Sequence, residues 1–152
     1  MRVLSKEQVY IELNNIKGDG KNDILLDDED IATITQNKDL VLMEAKEYID
    51  KDAAYKTIYT IVSDFEKVDL SHMNVDGILI YFQIHSAYKT MKLYDGLEII
   101  NNKFESENIG DEPDILFGIY YDDSLHVNYV KATVFFALSK KEKLKYVNTY
   151  SR

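Results

Sequence analysis

From Asn74 to His85 the chain reads NVDGILIYFQIH, and after Gly77 the usual alternation of apolar and polar positions stops. Six of the seven residues from Ile78 to Ile84 are apolar or aromatic, and none is charged. A strand that meets water on neither face reads this way. The pattern predicts an interior strand of one sheet.

The other elements follow from the period of the pattern and from its punctuation. Ser5 and Gln8 have the spacing of a capping box, and Val9, Leu13 and Ile16 then recur at helical intervals. A helix over Lys6–Ile16 is expected, stopped by Gly18. Gly18 to Asp23 is loop composition, and the apolar Ile24-Leu25-Leu26 returns the chain to the body. Asp27 can cap a short helix ending near Asn37. Its first turn carries Asp28, Glu29 and Asp30, and its buried stripe is Ile31 and Ile34. Leu40 to Met43 reads as a strand reaching Ala45. Ala54, Ile58, Ile61 and Val62 share one face of a helix over Asp52–Phe65.

After the central strand, Thr90 is placed to cap a further helix. Leu93, Leu97, Ile100 and Phe104 form its stripe at i, i+4, i+7 and i+11. Gly96 inside it costs about 1 kcal/mol against alanine, so a contact too close for a Cβ is expected there. Glu105–Pro113 is polar and reads as a loop. Asp114–Tyr121 and His126–Leu138 are strand-formers, and the turn composition Asp122-Asp123-Ser124 between them predicts a hairpin.

One sheet with helices packed on it satisfies this order. The expected class is α+β, an α/β two-layer sandwich whose mixed four-stranded sheet ends in a β-hairpin. Residues 1–26 form an N-terminal helix and acidic loop, 27–138 the main domain, and 139–152 a tail with Lys140, Lys141, Lys143 and Lys145.

Charge narrows the partners. A net charge of −9 repels phosphate backbones and anionic membrane surfaces, so neither nucleic acid nor membrane is an expected partner. No apolar run approaches the roughly 18 residues of a membrane span, and MRVLSKEQVY has no secretory h-region. Cysteine is absent, which removes thiol chemistry and favours a reducing, cytoplasmic setting. The twelve tyrosines are the unusual count. They suit surfaces that are part buried and part wet, whether interfaces or ordinary sheet and helix edges.

Candidate chemistry is sparse. Asp19 to Asp30 is acidic, but in a calcium-loop register position 3 is Lys21 and position 6 is Ile24 rather than glycine. His72, His85 and His126 have no paired helical spacing, and no metal site is expected from them. There is no G-x-S-x-G elbow and no phosphate-binding glycine loop; Gly18-x-Gly20 before Lys21 is a weak echo. Asp122 and Asp123 could do acid–base work only in a cleft, and in a turn they are expected to face solvent. No cofactor is expected.

Four stretches taken in order resemble the C-terminal domain of the bacterial tubulin-like cell-division GTPase, FtsZ. They are Asp27 to Ile34, Leu40 to Met43, Gly77 to Phe82, and Asp114 to Asp122 followed by Val130–Leu138. The resemblance covers about Asp27 to Leu138. It implies a sheet with helices on it and no nucleotide-binding domain. In that family two aspartates of the acidic loop reach the neighbouring subunit's nucleotide, and Asp27 and Asp30 fall at those places. Leu25 replaces the loop's asparagine, and Glu44 and Lys46 replace glycines usual after the first strand. The resemblance therefore implies no GTPase activity by this chain alone.

The expected function is a non-catalytic protein-interaction or self-assembly domain related to cell-division filaments. Its partner is a second copy or a tubulin-like filament subunit. Its interaction residues are Asp27, Asp30, Tyr120 and Tyr121, with Asp27 and Asp30 as the family-derived catalytic candidates. The alternative is a small enzyme or ligand-binding protein with an acidic site.

Overall fold

The computed structural model describes residues 1–16, 23–105 and 112–141. In chain order the elements are β1 (Arg2–Leu4), α1 (Lys6–Asn15), α2 (Asp28–Thr35), β2 (Leu40–Ile49), α3 (Ala53–Glu66), β3 (Met73–Ile84), α4 (Leu93–Lys103), β4 (Asp114–Tyr121) and β5 (Tyr129–Lys140). The strands form one open sheet in the order β1-β2-β5-β3-β4.

β3 is interior, as its sequence predicts. It pairs with β5 on one side and β4 on the other, and Ile78 to Phe82 are all buried. Alternation splits its side chains. Ile78, Ile80, Phe82 and Ile84 enter one core, while Leu79 and Tyr81 enter another on the opposite face. The first core is roofed by α3 and α4, through Ile58, Ile61, Leu93 and Ile100. The second is roofed by Val9 of α1 and by Ile31 and Ile34 of α2.

Several expectations are corrected. Helices cover both faces, so the molecule has three layers rather than two, because β3 and β5 carry apolar side chains on both sides and each side must be shielded from water. Among the described residues the sheet has five strands rather than four, since Arg2–Leu4 pairs antiparallel with Val41–Met43. Three residues are too few to show a period in sequence.

The terminal hairpin is absent. β4 pairs parallel with β3, and β5 lies between β2 and β3, antiparallel to both. The connection from Asp122 to Asn128 spans the end of β3 instead of turning tightly. Asp122 donates its N–H to the Ile84 carbonyl at 2.9 Å, and the Asp123 carboxylate accepts from Ser86 N–H at 2.9 Å. β5 takes the sheet's middle because Val130, Ala132, Val134, Phe136 and Leu138 fill one core and Phe135 and Ala137 the other.

Smaller differences have local causes. β2 runs on to Ile49, because β5 pairs with it through Ile49↔Tyr129. β5 starts at Tyr129 rather than His126, and it keeps Ser139 and Lys140 in the ladder opposite Asn74 and Met73. Thr90 does not cap α4; it opens a 3-10 turn, Thr90–Lys92, that leads into the helix without a side-chain cap. Both predicted N-caps of the first two helices are present. Ser5 and Gln8 bond reciprocally, at 3.2 and 2.9 Å, and Asp27 accepts the Asp30 N–H at 2.7 Å. The predicted stop at Gly18 lies outside the described residues, as do Lys143 and Lys145 and most of the Glu105–Pro113 loop.

Candidate interaction site

Asp27 and Asp30 stand at the start of α2. The carboxylate of Asp27 faces its own helix, where it satisfies one of the otherwise free N–H groups of the first turn. Asp28, Glu29 and Asp30 follow in that turn, where negative charge meets the positive end of the helix dipole. All four are exposed.

The segment leading into this helix docks on the sheet's edge. Ile24 and Ile119 exchange both backbone hydrogen bonds at 2.8 Å, a single antiparallel rung on the outer side of β4. Next to it, Tyr121 N–H donates to Asp23 Oδ1 at 2.8 Å. These two contacts bring the acidic segment beside Tyr120 and Tyr121, which the sequence had only as separate stretches.

The two tyrosines are neighbours on an edge strand, so their rings go to opposite faces. Tyr120 packs with Tyr81, ring centroids 5.8 Å apart, in the core under α1 and α2. Tyr121 packs into the core under α3 and α4. Both are half-buried. Burial first, and then the negative charge of Asp23, pushes both phenols above their ordinary range.

The remaining candidates serve the backbone. Asp122 accepts from the Ser124 hydroxyl and N–H, and Asp123 from Ser86 N–H, and these hydrogen bonds hold both carboxyls below their usual range. Such carboxylates stay ionised and make weak proton donors. His85 Nδ1 accepts from Ala87 N–H at 2.8 Å, and His126 Nδ1 from Asn128 N–H at 3.0 Å. Among the described residues no three His, Asp or Glu side chains gather as a metal site would require. Most of the Asp19–Asp30 loop's first half lies outside the described residues, and its position 6, Ile24, is committed to the rung on β4.

Two features went unread in the sequence. One is Asp23, whose role depends on a partner 98 positions away. The other is an exposed aromatic pair on α3, Tyr55 and Tyr59, with stacked rings 5.9 Å apart. Their i, i+4 spacing was the available signal.

Among the described residues, a mixed five-stranded open sheet with four packed helices is an α+β architecture of the FtsZ and tubulin kind. Two solved structures of FtsZ from M. jannaschii show the likeness. An empty FtsZ dimer superposes with a TM-score of 0.57 at 16% identity, over 78% of this chain and 36% of that one. A mutant of the same FtsZ gives 0.60 at 16% identity, over 87% and 40%. This chain thus spans about two-fifths of those chains' length. At that identity the shared property is the fold. No protein-family model matches the chain, and no curated protein does. Among the described residues no helix is long and apolar enough to cross a membrane.

Proposed function

We propose that this chain is a non-catalytic protein-interaction or self-assembly domain. In this reading it corresponds to the C-terminal domain of FtsZ, with residues 27–138 as the equivalent part, and engages a second copy or a tubulin-like filament subunit. The observation that carries it is the junction on β4: an acidic helix start, Asp27 to Asp30, tied by Asp23 and Ile24 to the outermost strand beside two half-buried tyrosines. The FtsZ whose fold is similar has been solved as a dimer, which supports assembly as the role of such a domain.

Light scattering tests the reading, on the chain alone and mixed with a tubulin-like division GTPase. A mass above one chain, or a mixed complex, is expected. Asp30→Lys or the Tyr120→Ala, Tyr121→Ala pair should weaken it. A strict monomer that ignores the GTPase would remove the reading.

A further inference from the structure

We propose that the outer edge of β4, with the groove between β4 and α4, takes up as a sixth strand an extended peptide whose groove-facing positions carry both apolar and basic residues. The proposal rests on the interaction-domain reading and names its partner's chemistry.

The open rungs follow from strand alternation. β4 is the last strand of the sheet and pairs on one side only, with β3. On its other side, Ile119 directs N–H and C=O outward to Ile24, and Tyr121 directs its N–H to Asp23. Outward-facing backbone groups recur every second residue, so Phe117 and Ile115 face outward as well. No described residue bonds to those groups. The chain's own segment leaves after one rung, because Leu26 turns down into the core under α1 and α2 and Asp27 begins a helix. What remains is an edge already started as an antiparallel ladder. Exposed edges of this kind are templates for another strand.

The side chains beside those rungs form a receptor. Ile115 and Phe117 line a groove of about 390 Å³ with Tyr94, Leu97, Glu98 and Asn101. It continues past Asn101 and Ile115 into a second hollow that holds Phe104, Glu105 and Glu112. Side chains of an added strand, pointing to one face at every second position, would enter between α4 and β4.

Charge selects the occupant. Glu98, Glu105 and Glu112 line the groove, Asp114 starts the strand, and no lysine or arginine is among the lining residues. None of these four acids forms an ion pair among the described residues. The nearby cation, Lys103, is held by Glu66 at 3.0 Å. A second β4 edge would set these carboxylates against their own copies, which is repulsive. A peptide whose groove-facing positions carry lysine beside apolar residues is attracted.

The test is fluorescence anisotropy of a labelled peptide with valine and lysine taking turns at every second position and threonine between them, about six residues long, the usual strand length, titrated with the full chain. Saturable binding at tens to hundreds of micromolar is expected (~10⁻⁵–10⁻⁴ M). Methylating alternate backbone amides of the peptide should abolish it. The Glu98→Lys, Glu105→Lys double variant should weaken it at least about tenfold, a loss of about 1.4 kcal/mol. Both positions are exposed, so the variant's melting temperature should hold.

No saturation at about millimolar chain overturns the proposal. So does equal binding by the methylated peptide or by oligolysine, which would show attraction without strand addition, and so does indifference to the double variant. Light scattering separates the two readings. A chain that assembles but ignores the peptide loses only the β4 proposal, and one that binds the peptide but neither assembles nor meets the GTPase loses the filament reading.

Discussion

Gly96 of α4 lies directly against Ala54 of α3. A Cβ built on Gly96 would sit 2.9 Å from the Ala54 carbonyl oxygen and 2.9 Å from Ile58 Cγ1. The side chain of Ile58 can rotate away. The carbonyl cannot, because it belongs to the helix backbone and also accepts the Thr57 hydroxyl at 2.9 Å. Gly96 is what lets the two helices close over the core.

Gly96→Ala sets two effects against each other. Alanine improves an isolated helix by about 1 kcal/mol. Overpacking against a rigid neighbour costs about 1–3 kcal/mol. With a backbone atom as the obstacle, the clash is expected to win by about 1 kcal/mol. A urea titration reads the sign directly, and a variant more stable than the parent would mean that the helices separate at little cost.

Asp27 can be divided into its cap and its charge. Asp27→Ala removes the oxygen that accepts the Asp30 N–H and should cost about 1 kcal/mol. Asp27→Ser keeps an acceptor and should cost a few tenths at most, in the range seen among good capping residues (~0.5 kcal/mol or less). If the proposed assembly needs the carboxylate, Asp27→Ser lowers the scattered mass while its thermal midpoint stays with the parent's. If only Asp27→Ala loses stability and both variants assemble like the parent, Asp27 is a cap and nothing more.

Alkaline pH should unfold this protein. The phenols of Tyr81, Tyr88, Tyr120, Tyr121 and Tyr129 are all raised above the ordinary 10.0, burial being the first cause in each. Tyr129 is also held protonated as it donates to Glu47. An unfolded chain gives up these protons near 10.0, while the folded one keeps them. Above that pH the unfolded state binds fewer protons, so stability falls as pH rises; below it these groups contribute no pH dependence. Five of the twelve tyrosines should therefore ionise late, together with the loss of helix signal. Tyrosinate absorbance followed alongside circular dichroism checks this, and smooth ionisation of all twelve in a still-folded chain would contradict it.

The parts of the fold legible in sequence were those decided within a dozen residues. The stripe Leu93, Leu97, Ile100 and Phe104 does face the core, with the first three buried and Phe104 half-buried against Phe65 and Phe136. The capping box at Ser5 and the cap at Asp27 are local hydrogen bonds between residues three apart. The candidate site was legible only in pieces. Asp27, Asp30, Tyr120 and Tyr121 could be picked out, but the contact that joins them runs through Asp23, whose carboxylate looks like any other in an acidic loop.

The hairpin expectation failed for a related reason. Asp122-Asp123-Ser124 does reverse the chain, and turn composition says that much. It does not say which strand the returning chain will join. That choice is made by burial: β5 carries apolar side chains on both faces, and the sheet's middle is where both faces are dry.

By itself the sequence determined the identity of the helices and main strands, the two-faced burial of β3 and the close approach at Gly96, because periodicity, capping and the missing Cβ act over short stretches of chain. The tertiary structure alone decided the strand order, the fifth strand at Arg2–Leu4, the roofing of both faces, and the junction of Asp23 and Ile24 with β4 that leaves Phe117 and Ile115 open to a partner. Those are pairings between distant residues, and backbone hydrogen bonds, which all residues but proline can both donate and accept, leave no mark of their partner in the side chains.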